Sequence, residues 1–214
     1  MTFLLYNKIM KKIIEPKIKF TNYYIEESYE YSIDNKEFNQ NNITSFHDIT
    51  FNSCIFNKID FSNVKLTNVE FIDCIFNNCD LSNKSFDNVG LHRIVFNNSK
   101  LIGNNYSETS LKNIKFNNCN LRYSNFYMVN VDNLLFNECN LDDSYITECN
   151  FKSIYFDKCS LNKVTILNLE HIGFDLSNSS IDDINIDFSS LKGISVNMIQ
   201  GAMLSRYLGI IIKN

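Results

Sequence analysis

Residues 116–121 read FNNCNL. The phrase returns every twenty residues: FNNCDL at 76–81, FNNSKL at 96–101, FNECNL at 136–141 and FDKCSL at 156–161. A fixed internal period has to be explained first, because it sets the architecture ahead of any local propensity. A shorter period lies inside it. Every fifth position from Phe46 to Val196 gives thirty-one residues, and thirty of them are apolar or aromatic; the exception is His171. A helix repeats at about 3.6 residues and a strand at about 2, so neither produces a period of five.

Two residues before each of these positions lies a second, smaller set. It holds every cysteine of the chain (Cys54, Cys74, Cys79, Cys119, Cys139, Cys149 and Cys159), together with residues such as Ile59, Val64, Ser99, Thr109, Ser124 and Ser144. The remaining three positions of each unit carry every Asp and Glu of the repeat region, and every Lys and Arg except Lys84. Each unit therefore offers a large and a small residue to an interior and three residues to solvent. Composition agrees with a chain that turns often without the usual turn residues. It has 6 Gly and 1 Pro in 214 residues but abundant Asn, which tolerates turn conformations that otherwise call for Gly.

Over residues 44–198 this pattern resembles the pentapeptide-repeat family. The resemblance implies an all-β fold, a right-handed quadrilateral parallel β-helix with one pentapeptide on each of four sides. Four fives make the coil of twenty. Residues twenty apart then stack, with Phe56, Phe76, Phe96, Phe116, Phe136 and Phe156 in one interior column and Leu81, Leu101, Leu121, Leu141 and Leu161 in another. Asn57, Asn77, Asn97, Asn117 and Asn137 form an amide ladder outside. Nearly eight coils at ~4.8 Å each make a tower roughly 35–40 Å tall. Three segments follow: an N-terminal extension or cap over 1–43, the repeat over 44–198, and a C-terminal helix with a tail over 199–214. In the first segment a helix is expected over 3–14, ended by Pro16, and then a hairpin or extended cover over the first coil.

Little points to catalysis, metal or cofactor. No Gly-rich phosphate loop or nucleophile elbow is present. The cysteine spacings are multiples of five with no Cys-x-x-Cys, so the thiols read as fillers of small interior slots and not as ligands or disulfides. His171, inside ILNLEHIGFDL, marks a local irregularity where the coil bulges. The chain is expected to be no enzyme, to bind no nucleic acid or membrane directly, and to be cytoplasmic, since its apolar start MTFLLYNKIMKKII is too short for a signal sequence.

The surface charge is uneven. Residues 46–122 hold seven acids and eight bases, net +1, whereas residues 123–191 hold eleven acids and only Lys152, Lys158 and Lys163, net −8. Asp132, Glu138, Asp142, Asp143, Glu148, Asp182, Asp183 and Asp187 make up the candidate acidic face. It is either a solubilising surface or a patch for a basic partner, such as a protein that normally holds DNA. After Val196 the five-residue frame stops. NMIQGAMLSRYLGIIIKN reads as a short helix ending at Gly209, followed by an apolar tail. Ile199, Met203, Leu204, Tyr207, Leu208, Ile210 and Ile211 are more apolar surface than a cap needs, so they make a candidate two-fold interface.

The ending LKGISVNMIQGAMLSRYLGIIIKN also resembles that of the Qnr-type quinolone-resistance members of the family, through Leu191-Lys192-Gly193, Gln200, Leu204 and Leu208-Gly209-Ile210. This implies a homodimer joined through the C-terminal helix, a rod that imitates duplex DNA. Its partners would be DNA gyrase and topoisomerase IV, which it would protect from quinolones. Several such proteins carry loops that interrupt the coils and are needed for full protection. The frame here is unbroken, so inhibition stands beside protection. The alternative is a structural or adaptor β-helix that binds another cytoplasmic protein.

Overall fold

The computed structural model describes residues 13–18, 32–39 and 45–213. The strands stack in parallel into a β-helix of about eight coils. From Ser45 onward pairing runs at an offset of twenty: Phe96 lies beside Phe116 and Phe76, Phe116 beside Phe136, Ile146 beside Ile166. One set of strands builds a 12-stranded sheet and another a 4-stranded one, made of Asn125–Tyr127, Tyr145–Thr147, Thr165–Leu167 and Asn185–Ile186.

What bends the chain at each side is a residue in the left-handed region. Asn68, Asn78, Asn83, Asn98, Asn113, Asn118 and Asp143 lie there with φ between 50° and 61°, each two residues past a large interior position. This conformation costs an ordinary L-residue about 1–2 kcal/mol, and Asn or Asp less because their side chains bond locally. The corner requirement accounts for the abundant Asn.

The interior is filled as the frame dictates. Rings of successive coils stack at 4.7 Å (Phe56–Phe76), 4.8 Å (Phe76–Phe96), 5.0 Å (Phe96–Phe116), 5.1 Å (Phe116–Phe136) and 5.3 Å (Phe136–Phe156), each pair within 18° of parallel. The spacing equals the strand separation, so hydrogen bonding and ring stacking share one repeat. Outside, the Nδ2 groups of Asn77, Asn97 and Asn117 each donate to the Oδ1 one coil below, at 2.8–2.9 Å.

The small slots do more than fill space. Cys79 Sγ donates to the carbonyl of Phe56, Cys139 Sγ to Phe116, Ser99 Oγ to Phe76 and Ser144 Oγ to Leu121, always 23 residues back. Thiol and hydroxyl thus take up the second lone pair of an interior carbonyl. All seven cysteines are buried and free. Burial pushes the thiols of Cys79 and Cys149 up to about 11, far from a reactive thiolate.

The N-terminal third differs from the sequence expectation. Ser32–Asp34 pairs with Thr50–Asn52, and Glu37–Phe38 with Ile55–Phe56. The coil therefore begins before residue 44. Its offset is eighteen (56 − 38), two short of the repeat, which hid it from the frame. Phe38 is buried and stacks on Phe56 at 4.6 Å, so it serves as the first ring of the column. Residues 13–18 do not cap the first coil. They run along the outside, where Ile14 N donates to Asn113 Oδ1 and Lys17 N to Asp73 Oδ1, two coils apart. The helix expected over 3–14 lies outside the described residues except for 13 and 14, which are not helical, and most of the expected hairpin lies outside them as well.

Candidate functional site

The acidic half is a belt and not a face. Each pentapeptide turns the chain by a quarter, so carboxylates five residues apart point to different sides. Asp132 accompanies the interior residue Val131, Glu138 follows Phe136, and Glu148 follows Ile146, on three different sides of one coil. Asp142-Asp143 and Asp182-Asp183 do share one edge. The ladder Tyr123 N→Asp142 O, Asp143 N→Asn162 O and Lys163 N→Asp182 O stacks them two coils apart with Lys163 between. None of the eight carboxylates is buried.

Several are already engaged. Asp143 pairs with Arg122 at 2.9 Å, Glu138 with Lys158 at 3.3 Å and Asp132 with Lys152 at 3.9 Å. Asp142 accepts from Ser160 Oγ and Asn162 N. Partial burial works against the charge of Asp187, but hydrogen bonds from Ser189, Ser190 and the Asn168 amide outweigh it and hold its carboxyl below the usual range. Asp182, Asp183 and Glu148 enter no salt bridge among the described residues, and Asp183 lies within the field of Arg206. The free negative charge is thus concentrated toward the C-terminal coils.

The C-terminal end is built in two parts. A one-turn helix, Phe188–Leu191, replaces the last strand, and a second helix, Met198–Leu204, closes the stack before a 3-10 turn at Ser205–Leu208. Asn197 caps the second helix: its Oδ1 accepts from Gln200 N, and Gln200 Oε1 accepts from Asn197 N. The same Gln200 turns Nε2 onto the carbonyls of Leu176 at 2.8 Å and Ser179 at 2.6 Å, adding a second donor to the first, which already accepts from Ser179 N, and supplying one to the second. The Tyr207 hydroxyl donates to the Ile184 carbonyl, and Gly209, at φ 70°, ends the turn.

This separates cap from free surface among the residues expected at an interface. Leu204 is buried within the chain and belongs to the cap. Met203 is half-buried and Tyr207 is tethered by its hydroxyl. Ile199, Leu208, Ile210 and Ile211 are exposed, and Met198, Phe188 and Ile212, which the helical reading did not single out, are exposed beside them. Residues 210–212 form no strand.

His171 occupies a large interior position without bulging the strand. Glu170–His171 pairs in register with Asn150–Phe151. The irregularity comes at the following corner, where Gly173 takes φ 108° against 54–65° at Asp73, Arg93, Asn113 and Asn133. The ring is tied on both nitrogens: Nε2 bonds the Ser190 carbonyl at 3.1 Å and Nδ1 receives Gly173 N at 2.9 Å. Burial lowers its basicity. This is a structural tether, and Phe174, buried two residues before Leu176, supplies the missing volume. Among the described residues no cluster of three or more His, Cys, Asp or Glu could hold a metal, and no helix is long and apolar enough to cross a membrane.

Comparison with known sequences meets this geometry. The description "Pentapeptide repeats (8 copies)" matches residues 44–83, and "Pentapeptide repeat region" matches residues 69–146. Together these models match residues 44–146, and the pairing at an offset of twenty continues beyond them to Asn185–Ile186. No curated protein matches the chain. Solved structures with the same repeat include trypsin-treated QnrB1, a plasmid-mediated fluoroquinolone resistance protein, at 20% identity and a TM-score of 0.44, covering 85% of this chain and 97% of that one. Others are a protein of the Arabidopsis thaliana thylakoid lumen (18% identity, TM-score 0.32, covering 60% of this chain and 75% of that one). HetL, involved in heterocyst differentiation regulation in the cyanobacterium Nostoc, is 13% identical with a TM-score of 0.27, covering 77% and 86%. A shared fold does not by itself fix a partner.

Proposed function

We propose that this protein pairs through its C-terminal end and binds a bacterial type II topoisomerase, DNA gyrase or topoisomerase IV, at the surface that normally holds DNA, protecting it from quinolones. The observation that carries the reading is the joining of two features at one end of the rod. The half that bears net −8 leads directly into the exposed residues Ile199, Leu208, Ile210 and Ile211. Burying those side chains against a second copy would bring two acidic belts together at the centre of a longer rod. Duplex DNA carries about one charge per 1.7 Å of axis, so such a rod is a sparse mimic, and its binding should weaken as salt screens the charges. The Qnr-like ending of the sequence adds the choice of partner.

The test is a gyrase supercoiling assay with increasing protein, with and without a fluoroquinolone, at two salt concentrations. Rescue of supercoiling under drug is the expected result, weaker at high salt. Salt-sensitive inhibition without drug would keep the partner and change the outcome, as the uninterrupted coils allow. Neither effect at micromolar protein would remove the topoisomerase reading. Light scattering checks the other half: a monomer in solution would end the proposal of a paired rod.

A further inference from the structure

Two bulky side chains stand at corners where the fold prefers small polar ones. Among the described non-glycine residues with positive φ, Tyr123 (φ 61°) and Met128 (φ 54°) are the only large apolar residues; the others are polar or charged, and most are Asn or Asp. An aromatic residue in the left-handed region is strained, whereas Asn adopts it readily. Burial does not compensate for this strain, since Tyr123 is 54% and Met128 45% exposed.

Both corners bracket the same strand, Asn125–Tyr127. The adjacent strand, Tyr145–Thr147, pairs with it in register and presents Tyr145, also 54% exposed, between Asn125 and Thr165. Three of the exposed large apolar side chains thus share one side of two adjacent coils, Tyr145 standing two coils before the last strand of that side. The patch is also held in position. The Arg122 guanidinium lies 4.8 Å from the Tyr123 ring centroid and donates at 2.8 Å to its hydroxyl and at 2.9 Å to Asp143. That pairing neutralises Arg122. One coil beyond Met128, at the same corner, stands Glu148, exposed and in no salt bridge among the described residues.

We infer that the side bearing Tyr123, Met128 and Tyr145 is a protein-docking surface for a basic partner, which packs on Tyr123 and Met128 and lays an Arg or Lys side chain on the Tyr145 ring with Glu148 as counter-charge. Tyr, Met and Arg are the residue types enriched at protein interfaces, and an exposed ring on the half of the chain that bears net −8 favours a cation over a neutral apolar group. The inference rests on the proposed topoisomerase reading for the identity of its partner, and deepens it: recognition would use aromatic stacking on one side of the rod in addition to diffuse negative charge.

The test uses the full-length chain and its variant Tyr123→Asn/Tyr145→Thr, which installs the residue types found at corresponding positions of other coils. Binding to gyrase holoenzyme is measured by biolayer interferometry, and melting by calorimetry. The expected result is a loss of affinity of at least tenfold with a melting temperature equal to or above that of the parent. Unchanged affinity overturns the inference. If the parent itself does not bind gyrase, the topoisomerase reading fails, and the surface is judged by titrating the parent with a tetra-arginine peptide while following the tyrosine ring NMR signals. Shifts at Tyr145 uphold it. Shifts confined to the Asp182–Asp183 edge overturn it.

Discussion

From Phe56 to Phe156 six rings repeat one arrangement, face on face, coil after coil. Beyond Phe156 the column passes to Leu176, and Phe174 meets Phe156 edge-on at 5.9 Å and 62°. In the middle of the rod each side chain is set by identical neighbours above and below. At the C-terminal end there is no next coil, and the chain needs particular residues: His171 tied to Ser190, Gln200 on two carbonyls, Tyr207 on Ile184. Repetition tolerates variation along its length because contacts are local, but it cannot terminate itself.

Breaking the middle should have the largest effect. Phe96 is fully buried between Phe76 and Phe116, and Phe96→Ala is expected to cost about 3–5 kcal/mol in urea unfolding. A loss below about 1 kcal/mol would mean that the coils collapse around the gap. Breaking the end comes next. Gln200→Ala removes the side-chain half of the capping box and the donor on the Ser179 carbonyl, an expected loss of about 1–3 kcal/mol. Hydrogen exchange should place the new opening at the last coils and leave the Phe96 region protected.

A smaller effect concerns pH. His171 is held below its ordinary 6.5, chiefly by burial, so the folded state binds its proton less readily than the unfolded chain does. Stability is therefore complete above the ordinary value and declines as pH falls below it. His92, lowered by burial and by Arg93, acts in the same direction. The urea midpoint should fall between pH 7.5 and 5.5, and His171→Phe should flatten part of that slope, leaving the share of His92. An unchanged slope in the variant would show that His171 takes its proton without penalty. The smallest effect belongs to the belt. Lys158 and Glu138 are well exposed, so Lys158→Ala should change stability by less than about 0.5 kcal/mol. The same substitution frees Glu138 and should tighten binding to a basic partner at low salt, the opposite ranking from Phe96→Ala.

Much of the candidate site was legible in the sequence. The outward placement of the eight carboxylates follows from the frame, as does the break after Val196. The frame also contained the reason why those carboxylates ring the rod, since five residues make a quarter turn. It did not show which of them are already paired. Arg122 reaches Asp143 from the preceding coil, and Lys158 reaches Glu138 from the next, and both contacts depend on side-chain directions across coils. The strain at Tyr123 and Met128 could have been noticed, because the corner position takes Asn so often. The frame alone, however, treats all three outward positions alike.

By itself the sequence determined the coil length, the interior columns and the sides on which charge can lie, because a five-residue period leaves one way to bury every large residue. Only the tertiary structure decided how the ends close. Phe38 joins the column at an offset of eighteen, Leu204 turns inward, and residues 13–18 run along the outside of the coils. The reason is physical. A periodic core is specified by each residue's copies one coil away, whereas an end has no copy, and its unpaired carbonyls and exposed rings take whatever partner the folded chain brings within reach.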